Sequence, residues 1–226
     1  MKESGDAGRP EHPRSIAGAY LPARQHYWYT RCKLASDPLY ADVGMALRET
    51  SAPLLDLGCG IGLLAHTLRA QGFAGGYLGV DNDAGKIAAA RAAAERAGLR
   101  ETRYDCIDLA DGAFPAHRGS VALLDVLQYL PVQAATALVE HAAACVVHGA
   151  RLVIRSGLDD ADARTRFTRA MDVFSRRIGW MNTAPKRYPT RAELAALLAR
   201  CGLRARFTPP GGRLPFNNWL IVGERQ

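Results

Sequence analysis

The stretch Leu54-Leu55-Asp56-Leu57-Gly58-Cys59-Gly60-Ile61-Gly62 carries a short apolar run into three glycines at two-residue spacing. Glycines so spaced let the backbone turn tightly and approach a ligand without a Cβ in the way. Leu63–Ala70 follows with a helical pattern, so the segment reads as strand, loop and helix. The next apolar run, Tyr77–Val80, ends at Asp81, 19 residues beyond Gly62. A carboxylate there can accept hydrogen bonds from both hydroxyls of a ribose. Loop, strand and acid in this order are not what an incidental strand-to-helix turn requires.

Outward from this stretch the pattern repeats. Compact apolar runs occur at Pro53–Leu57, Tyr77–Val80, Arg103–Ile107, Val121–Val126 and Arg151–Ile154. Helical stretches at Leu63–Ala70, Ala84–Ala97 and Pro131–Val147 separate them, with a loop-rich connection at Gly112 and Pro115. Runs with little polar alternation, separated by helices, indicate a parallel sheet covered on both faces. Near the C-terminus Thr190 caps a helix over Arg191–Arg200, with Glu193 three residues on and Gly202 as its stop. Leu203–Phe207 and Trp219–Val222 then read as a hairpin around a Pro/Gly-rich loop, Pro209–Pro215. Before the first strand, Gln25–Leu47 reads as two short helices broken at Asp37-Pro38.

With 226 residues, 48% hydrophobic and 23% charged, the chain has the composition of one globular domain. A polar tail, expected to be flexible, spans 1–18 and has no apolar core of a signal peptide. The single domain spans 19–226, with a helical lid insert at 157–187. The best apolar stretch, Val121–Val139, is interrupted by Asp125, Gln128 and Pro131, against a membrane span. Five scattered cysteines without a C-x-x-C pair argue against a disulfide framework or structural zinc, and no histidines form a spaced ligand pair, so no metal is expected. The cysteine pattern points to a cytoplasmic location. Charge is uneven: residues 1–150 carry 14 basic and 16 acidic side chains, residues 151–226 carry 15 and 6. The basic third points to an acidic partner.

Gly60-x-Gly62-x-x-Ala65 fits a relaxed dinucleotide-binding pattern, yet Asp56 would then lie beside a pyrophosphate, negative against negative. A ligand with positive charge fits Asp56 better, and S-adenosylmethionine carries a sulfonium and an ammonium. At these residues the chain resembles the class I S-adenosylmethionine-dependent methyltransferases. Asp56, Gly58, Gly60 and Gly62 match the family's acid and G-x-G-x-G. Leu78-Gly79-Val80-Asp81 matches the motif whose acid holds the ribose, and Asn82 follows it. Ile107-Asp108-Leu109 matches the segment at the adenine, Asp108 near its amino group and Leu109 against the ring. Leu123 to Pro131, with Asp125, Gln128 and Tyr129, matches the segment lining the transfer site.

The resemblance implies a doubly wound, Rossmann-like α/β fold: a seven-stranded, mostly parallel sheet with a C-terminal antiparallel hairpin and a helical insert before it. It implies S-adenosyl-L-methionine as cofactor, with a basic residue such as Lys33 or Arg31 on the methionine carboxylate. A narrower resemblance joins Lys33-Leu34-x-x-Asp37-Pro38-x-Tyr40, Leu124–Pro131 and Pro215-Phe216-Asn217-Asn218 to bacterial methyltransferases of aryl-polyene pigment pathways. Those relatives often carry His where Gln128 stands, which leaves a general base at this position in doubt.

Methyl transfer places a nucleophile in line with the methyl and opposite sulfur, so positioning supplies most of the rate. Gln128 and Tyr129 are the catalytic candidates: Gln128 cannot act as a base but can orient a substrate hydroxyl, and Tyr129 is expected to pack against the cofactor. In the insert, Phe167, Met171, Phe174 and Ile178 form one apolar stripe, and Trp180, Asn182 and, from the terminal loop, Asn217 are candidate substrate contacts. Arg176 and Arg177 belong to a basic face suited to an acidic acceptor or an acidic carrier protein presenting it. The expected function is methyl transfer to a small aromatic or acidic acceptor in biosynthesis, within secondary metabolism. An RNA methyltransferase and a non-catalytic S-adenosylmethionine-binding protein are the alternatives. Nucleic acid is disfavoured by the absence of an N/D-P-P-Y/F segment, of a Pro-Cys pair and of an appended RNA-binding module.

Overall fold

The structure, a computed structural model, describes residues 13–159, 187–209 and 218–225. Three helices come first: α1 (Pro13–Gly18), α2 (Arg24–Ser36) and α3 (Leu39–Leu47). There follow β1 (Leu54–Leu57), α4 (Leu63–Ala70), β2 (Tyr77–Asp81), α5 (Ala84–Arg96), β3 (Thr102–Cys106), β4 (Ser120–Leu124), α6 (Val132–Cys145) and β5 (Arg151–Gly157). Last come α7 (Arg191–Arg200), β6 (Leu203–Thr208) and β7 (Asn218–Arg225).

The seven strands form one sheet in the order β3-β2-β1-β4-β5-β7-β6. β1 to β5 are parallel, and β7 pairs antiparallel with both β5 and β6. This is the doubly wound sheet with a terminal hairpin that the sequence predicts. Strand order reverses between β2 and β4, with β1 at the switch, and the loops after β1, β2 and β4 gather at that point.

Residues of β1 alternate between two cores. Leu55 and Leu57 join Leu123, Leu152 and Ile154 under α6 and α7. Leu54 joins Tyr77, Ala122 and Val153 under α3, α4 and α5. Each such fully buried leucine contributes about 1.5–3 kcal/mol relative to exposure. Asp56 points to the second face, where its neighbours along the strand are apolar. It is 1% exposed.

Two boundaries differ from the sequence reading for identifiable reasons. β4 stops at Leu124 rather than Val126 because Asp125 takes φ +60, off the extended path. Within the tail expected over 1–18, Pro13–Gly18 form α1; Ile16 and Ala17 are buried, and Tyr20 donates from its hydroxyl to the Ile61 carbonyl at 3.1 Å. Asp83 caps α5, accepting from the Gly85 and Lys86 N–H groups. Thr190 and Glu193 close a capping box on α7. Among the described residues no helix is long and apolar enough to cross a membrane. The lid insert of 157–187, apart from its ends at 157–159 and 187, lies outside the described residues, as do Trp180, Asn182 and Asn217.

Candidate functional site

The glycine loop is strapped to β2 by its own backbone. Gly58 and Cys59 N–H both donate to the Val80 carbonyl, at 2.8 and 2.9 Å. The three glycines have φ +87, +56 and +76, a region that other residues enter only at a cost. They face different surroundings. A Cβ on Gly58 would lie 2.4 Å from Val126 Cγ2, and one on Gly62 2.8 Å from Tyr104 Cε1. A Cβ on Gly60 would meet nothing within 4 Å. Gly58 and Gly62 therefore serve packing, while Gly60 borders open space at the C-terminal edge of the sheet.

Asp81 closes that space from the next strand. Its Oδ2 accepts from Gly60 N–H at 2.9 Å and its Oδ1 from Asp83 N–H at 3.0 Å. Each carboxylate oxygen has capacity for a further donor. Asn82 beside it is exposed. Ile107 N–H donates to the Asp81 carbonyl at 3.0 Å, which brings the third motif to this edge. Asp108 is exposed and caps the turn over Leu109–Asp111 through Ala110 N–H, and Leu109 is buried against the core.

Asp56 lies beneath the loop, away from the open space. Its Oδ2 accepts from the Tyr77 hydroxyl at 2.6 Å, and its Oδ1 has no partner among the described residues. Burial pushes its carboxyl up to about 7; the Tyr77 hydrogen bond works against this and the Asp81 charge adds to it. Asp56 therefore sits beneath the loop, in the core, and does not line the open space.

At the ends of β4 and β5 the charges are paired. Asp125 N–H donates to the Arg155 carbonyl at 2.9 Å, and Arg155 Nε lies 3.2 Å from Asp125 Oδ1. Arg155 Nη1 donates to Asp37 Oδ2 at 2.6 Å, and Lys33 Nζ lies 2.7 Å from the same oxygen. Burial alone would lower the Lys33 ammonium, yet the acids around it, Asp125 foremost, raise it. Arg31 points elsewhere, its guanidinium stacking over Trp28 and Tyr27.

Gln128 is buried, and its Oε1 has no hydrogen-bond partner among the described residues. That differs from an exposed helix-entry residue and leaves a carbonyl oxygen in want of a donor. Tyr129 beside it is half-buried. His117 is tied down by the Ser120 carbonyl at 2.9 Å, well apart from the glycine loop in the fold. A cleft of about 410 Å³ opens between α6 and α7, bordered by Leu127, Leu130, Val132, Thr136, Arg187 and Leu197 among others. None of Gly58–Gly62, Asp81 or Asp125 lines it, so this cleft and the glycine-loop space are separate features.

The structure thus brings Gly58, Gly60, Gly62, Asp81, Asp108 and Asp125 to one edge, with Lys33 carried there on α2. Sequence reasoning missed Arg155, Asp37 as an ion-pair partner, and Tyr77. The signal for Arg155 was a lone basic residue closing the apolar run Leu152-Val153-Ile154.

The site's donor set suits a nucleoside ligand bearing positive charge: an acid with free acceptor capacity, an open glycine edge, and a buried acid with one unpartnered oxygen. In comparison with known proteins, residues 54–149 match the model of a methyltransferase domain family. No curated protein matches the chain in sequence. Among solved structures the chain is similar to an O-methyltransferase family protein from Burkholderia thailandensis, with TM-score 0.67 and 22% identity over 90% of this chain and 59% of that one. It is also similar to magnesium protoporphyrin IX methyltransferase from Synechocystis PCC 6803 with bound SAH, with TM-score 0.64 and 16% identity over 99% and 90%. A pyocyanin biosynthetic protein gives TM-score 0.65 and 19% identity over 96% and 62%. The chain spans less than two thirds of the first and third of these proteins, and at such identities the likeness is one of fold.

Proposed function

We propose, from the premise that the chain carries a class I S-adenosylmethionine-dependent methyltransferase domain, that it methylates a small aromatic or acidic acceptor in a biosynthetic pathway. The observation that carries the reading is Asp81, bonded to Gly60 N–H beside the open face of the glycine loop. When bound, S-adenosylmethionine supplies a methyl group on a sulfonium, a strong donor that needs little activation.

The chain's own residues do the rest. Asp81 receives the ribose hydroxyls on the free acceptor sites of its two oxygens. Asp108 and Leu109 border the adenine, with Asn82 between them and the ribose. Lys33 offers its ammonium to the methionine carboxylate, and Asp125 offers an acid to the amino group. Asp56, whose carboxyl burial raises to about 7, lies below, where a cationic ligand would favour its ionised form. Gln128 and Tyr129 stand where the acceptor would enter, and the Gln128 carbonyl oxygen accepts a hydrogen bond from an acceptor hydroxyl. The acids at this edge, Asp37 and Asp125, are held in ion pairs with Arg155 and Lys33. The reading therefore favours an acceptor that arrives already acidic, such as a phenol with a low pKa or a carboxylate. Catalysis then rests on placing the nucleophile in line with the methyl group.

The similar structures include an O-methyltransferase family protein and a pyocyanin biosynthetic protein, which supports oxygen as acceptor atom and a biosynthetic setting. The excess of basic residues in 151–226 supports an acidic acceptor, free or on an acidic carrier protein. Methyl transfer is to be assayed against free aromatic acids, carrier-bound aryl substrates and bulk RNA. Turnover of either of the first two classes is expected. Activity confined to RNA would reject a small-molecule acceptor, and binding without any turnover would favour a non-catalytic role.

A further inference from the structure

Arg155 lies on β5, a strand flanked on both sides, and is 8% exposed. A buried guanidinium is stable only when acids and carbonyls answer it. Here two acids from distant parts of the chain do so: Asp37 Oδ2 at 2.6 Å from Nη1, and Asp125 Oδ1 at 3.2 Å from Nε. The planar guanidinium suits this, because its donors point in two directions at once.

On one side the residue grips Asp125 twice. The Arg155 carbonyl accepts from Asp125 N–H and the Arg155 side chain meets the Asp125 carboxylate. Asp125 sits at φ +60, a conformation that is costly for a non-glycine residue and persists only where surroundings impose it. The turn it makes leads directly into Val126, Leu127 and Gln128.

On the other side Arg155 grips the break between α2 and α3. Asp37 Oδ1 accepts from Leu39 N–H at 3.0 Å, which starts α3. Asp37 Oδ2 is shared between Arg155 and Lys33. Burial pushes the Asp37 carboxyl up, yet Lys33 and Arg155 together hold it below the usual carboxylate range. Two cations on one carboxylate have a consequence. Lys33 can turn toward an incoming anion while Asp37 stays paired through Arg155.

We propose that Arg155 is a positioning residue for the site: it fixes the left-handed turn at Asp125 and docks the α2–α3 hairpin, with Lys33 on it, against the ends of β4 and β5. What the site binds rests on the function proposed above; the tie itself rests on geometry alone.

Hydrogen exchange of the full chain without ligand tests the tie, using Arg155→Met, Arg155→Lys and Asp37→Asn. Arg155→Met and Asp37→Asn are each expected to speed exchange about tenfold or more over residues 24–47, since each breaks the same partly buried ion pair. Arg155→Met also speeds it over 125–129, while β1, β2 and α5 stay unchanged. Arg155→Lys, which reaches one acid but not both, recovers only one of the two segments. Adding Asp125→Gly to Arg155→Met restores protection at 126–129 and not at 24–47, because glycine holds φ +60 unaided. A uniform rise across the sheet, or no change, would overturn the proposal, because Arg155 would then be only a stabilising core residue or a bystander.

A calorimetric arm uses S-adenosylhomocysteine as probe, well below the melting temperature. Arg155→Met is expected to weaken binding about tenfold, and a wild-type affinity in that variant overturns the positioning role. If the wild type itself fails to bind, the proposed function falls, and the exchange arm alone decides the role of Arg155.

Discussion

Gly60 and Asp81, which meet at the glycine-loop edge, stand 21 positions apart, whereas Asp37 and Arg155, which meet at the β4–β5 edge, stand 118 apart. The first edge is made of backbone: glycine conformations, N–H groups on the Val80 carbonyl, and one acid from the neighbouring strand. The second is made of side-chain charges drawn from a helix break, a turn and a strand. An acid of each edge shows the opposite behaviour as a result. Among the described residues Asp56 has a tyrosine hydroxyl but no cation, and burial raises its carboxyl to about 7. Asp37 has two cations, which hold its carboxyl down against burial. A local motif can tolerate a lone buried acid under a loop awaiting a cation, while a long-range tie must balance its own charge.

The largest effect should come from titrating this difference. Between pH 4 and 7 folded Asp56 keeps a proton that the unfolded chain releases, so its contribution to stability declines as pH rises through that window. Asp56→Asn should remove this decline, on the order of 4 kcal/mol over the window. Asp37→Asn should show the opposite sign: the wild-type advantage is present above the ordinary carboxylate pKa and disappears as pH falls through the lowered folded value. Urea unfolding of both variants from about pH 2 to pH 8 spans both windows and checks the two signs, and parallel curves would erase the contrast between the edges.

Next in size is the rigidity of the loop. Gly58→Ala combines φ +87 with a Cβ 2.4 Å from Val126 Cγ2, on a side chain that cannot rotate freely away. It should cost about 3 kcal/mol, whereas Gly60→Ala, facing open space, should cost about 1 kcal/mol. Equal costs in chemical denaturation would mean that the loop yields to side chains as readily at one glycine as at the other. Because Val126 follows Asp125, Gly58→Ala also carries strain from the first edge to the second.

A smaller effect concerns the second edge. Arg155→Met and Asp37→Asn should be coupled by about 2 kcal/mol in a double-mutant cycle of unfolding free energies. Additive losses would mean that the pair shares no link. Away from both edges, Thr190→Ala removes one arm of the α7 capping box and should cost about 1 kcal/mol without changing ligand affinity. An altered affinity in that variant would extend the site to α7.

The same contrast explains what the sequence could reveal. The strand plan, the glycine loop, Asp81 and the capping box were legible because each is a local pattern of residue types with one physical solution. The end of β4 was misjudged, because nothing in Leu123-Leu124-Asp125-Val126 announces a left-handed aspartate. That conformation is imposed by Arg155, from a strand further on. Asp37 read only as a turn former beside Pro38, since its pairing with Arg155 requires the fold to exist first. Asp56 was legible as an acid under the loop, but Tyr77, which takes up one of its oxygens, was legible only as a strand residue. For Trp180, Asn182 and Asn217 the comparison does not arise, as they lie outside the described residues.

The central claim, that the glycine-loop edge cradles S-adenosylmethionine through Asp81, is tested most directly by calorimetric titration of that compound into the wild type and Asp81→Ala. The wild type should bind one equivalent, and the variant, losing two charge-assisted hydrogen bonds, should bind about a hundredfold more weakly or worse. Undiminished binding by Asp81→Ala would contradict the account, as would a wild type that binds a nicotinamide dinucleotide instead.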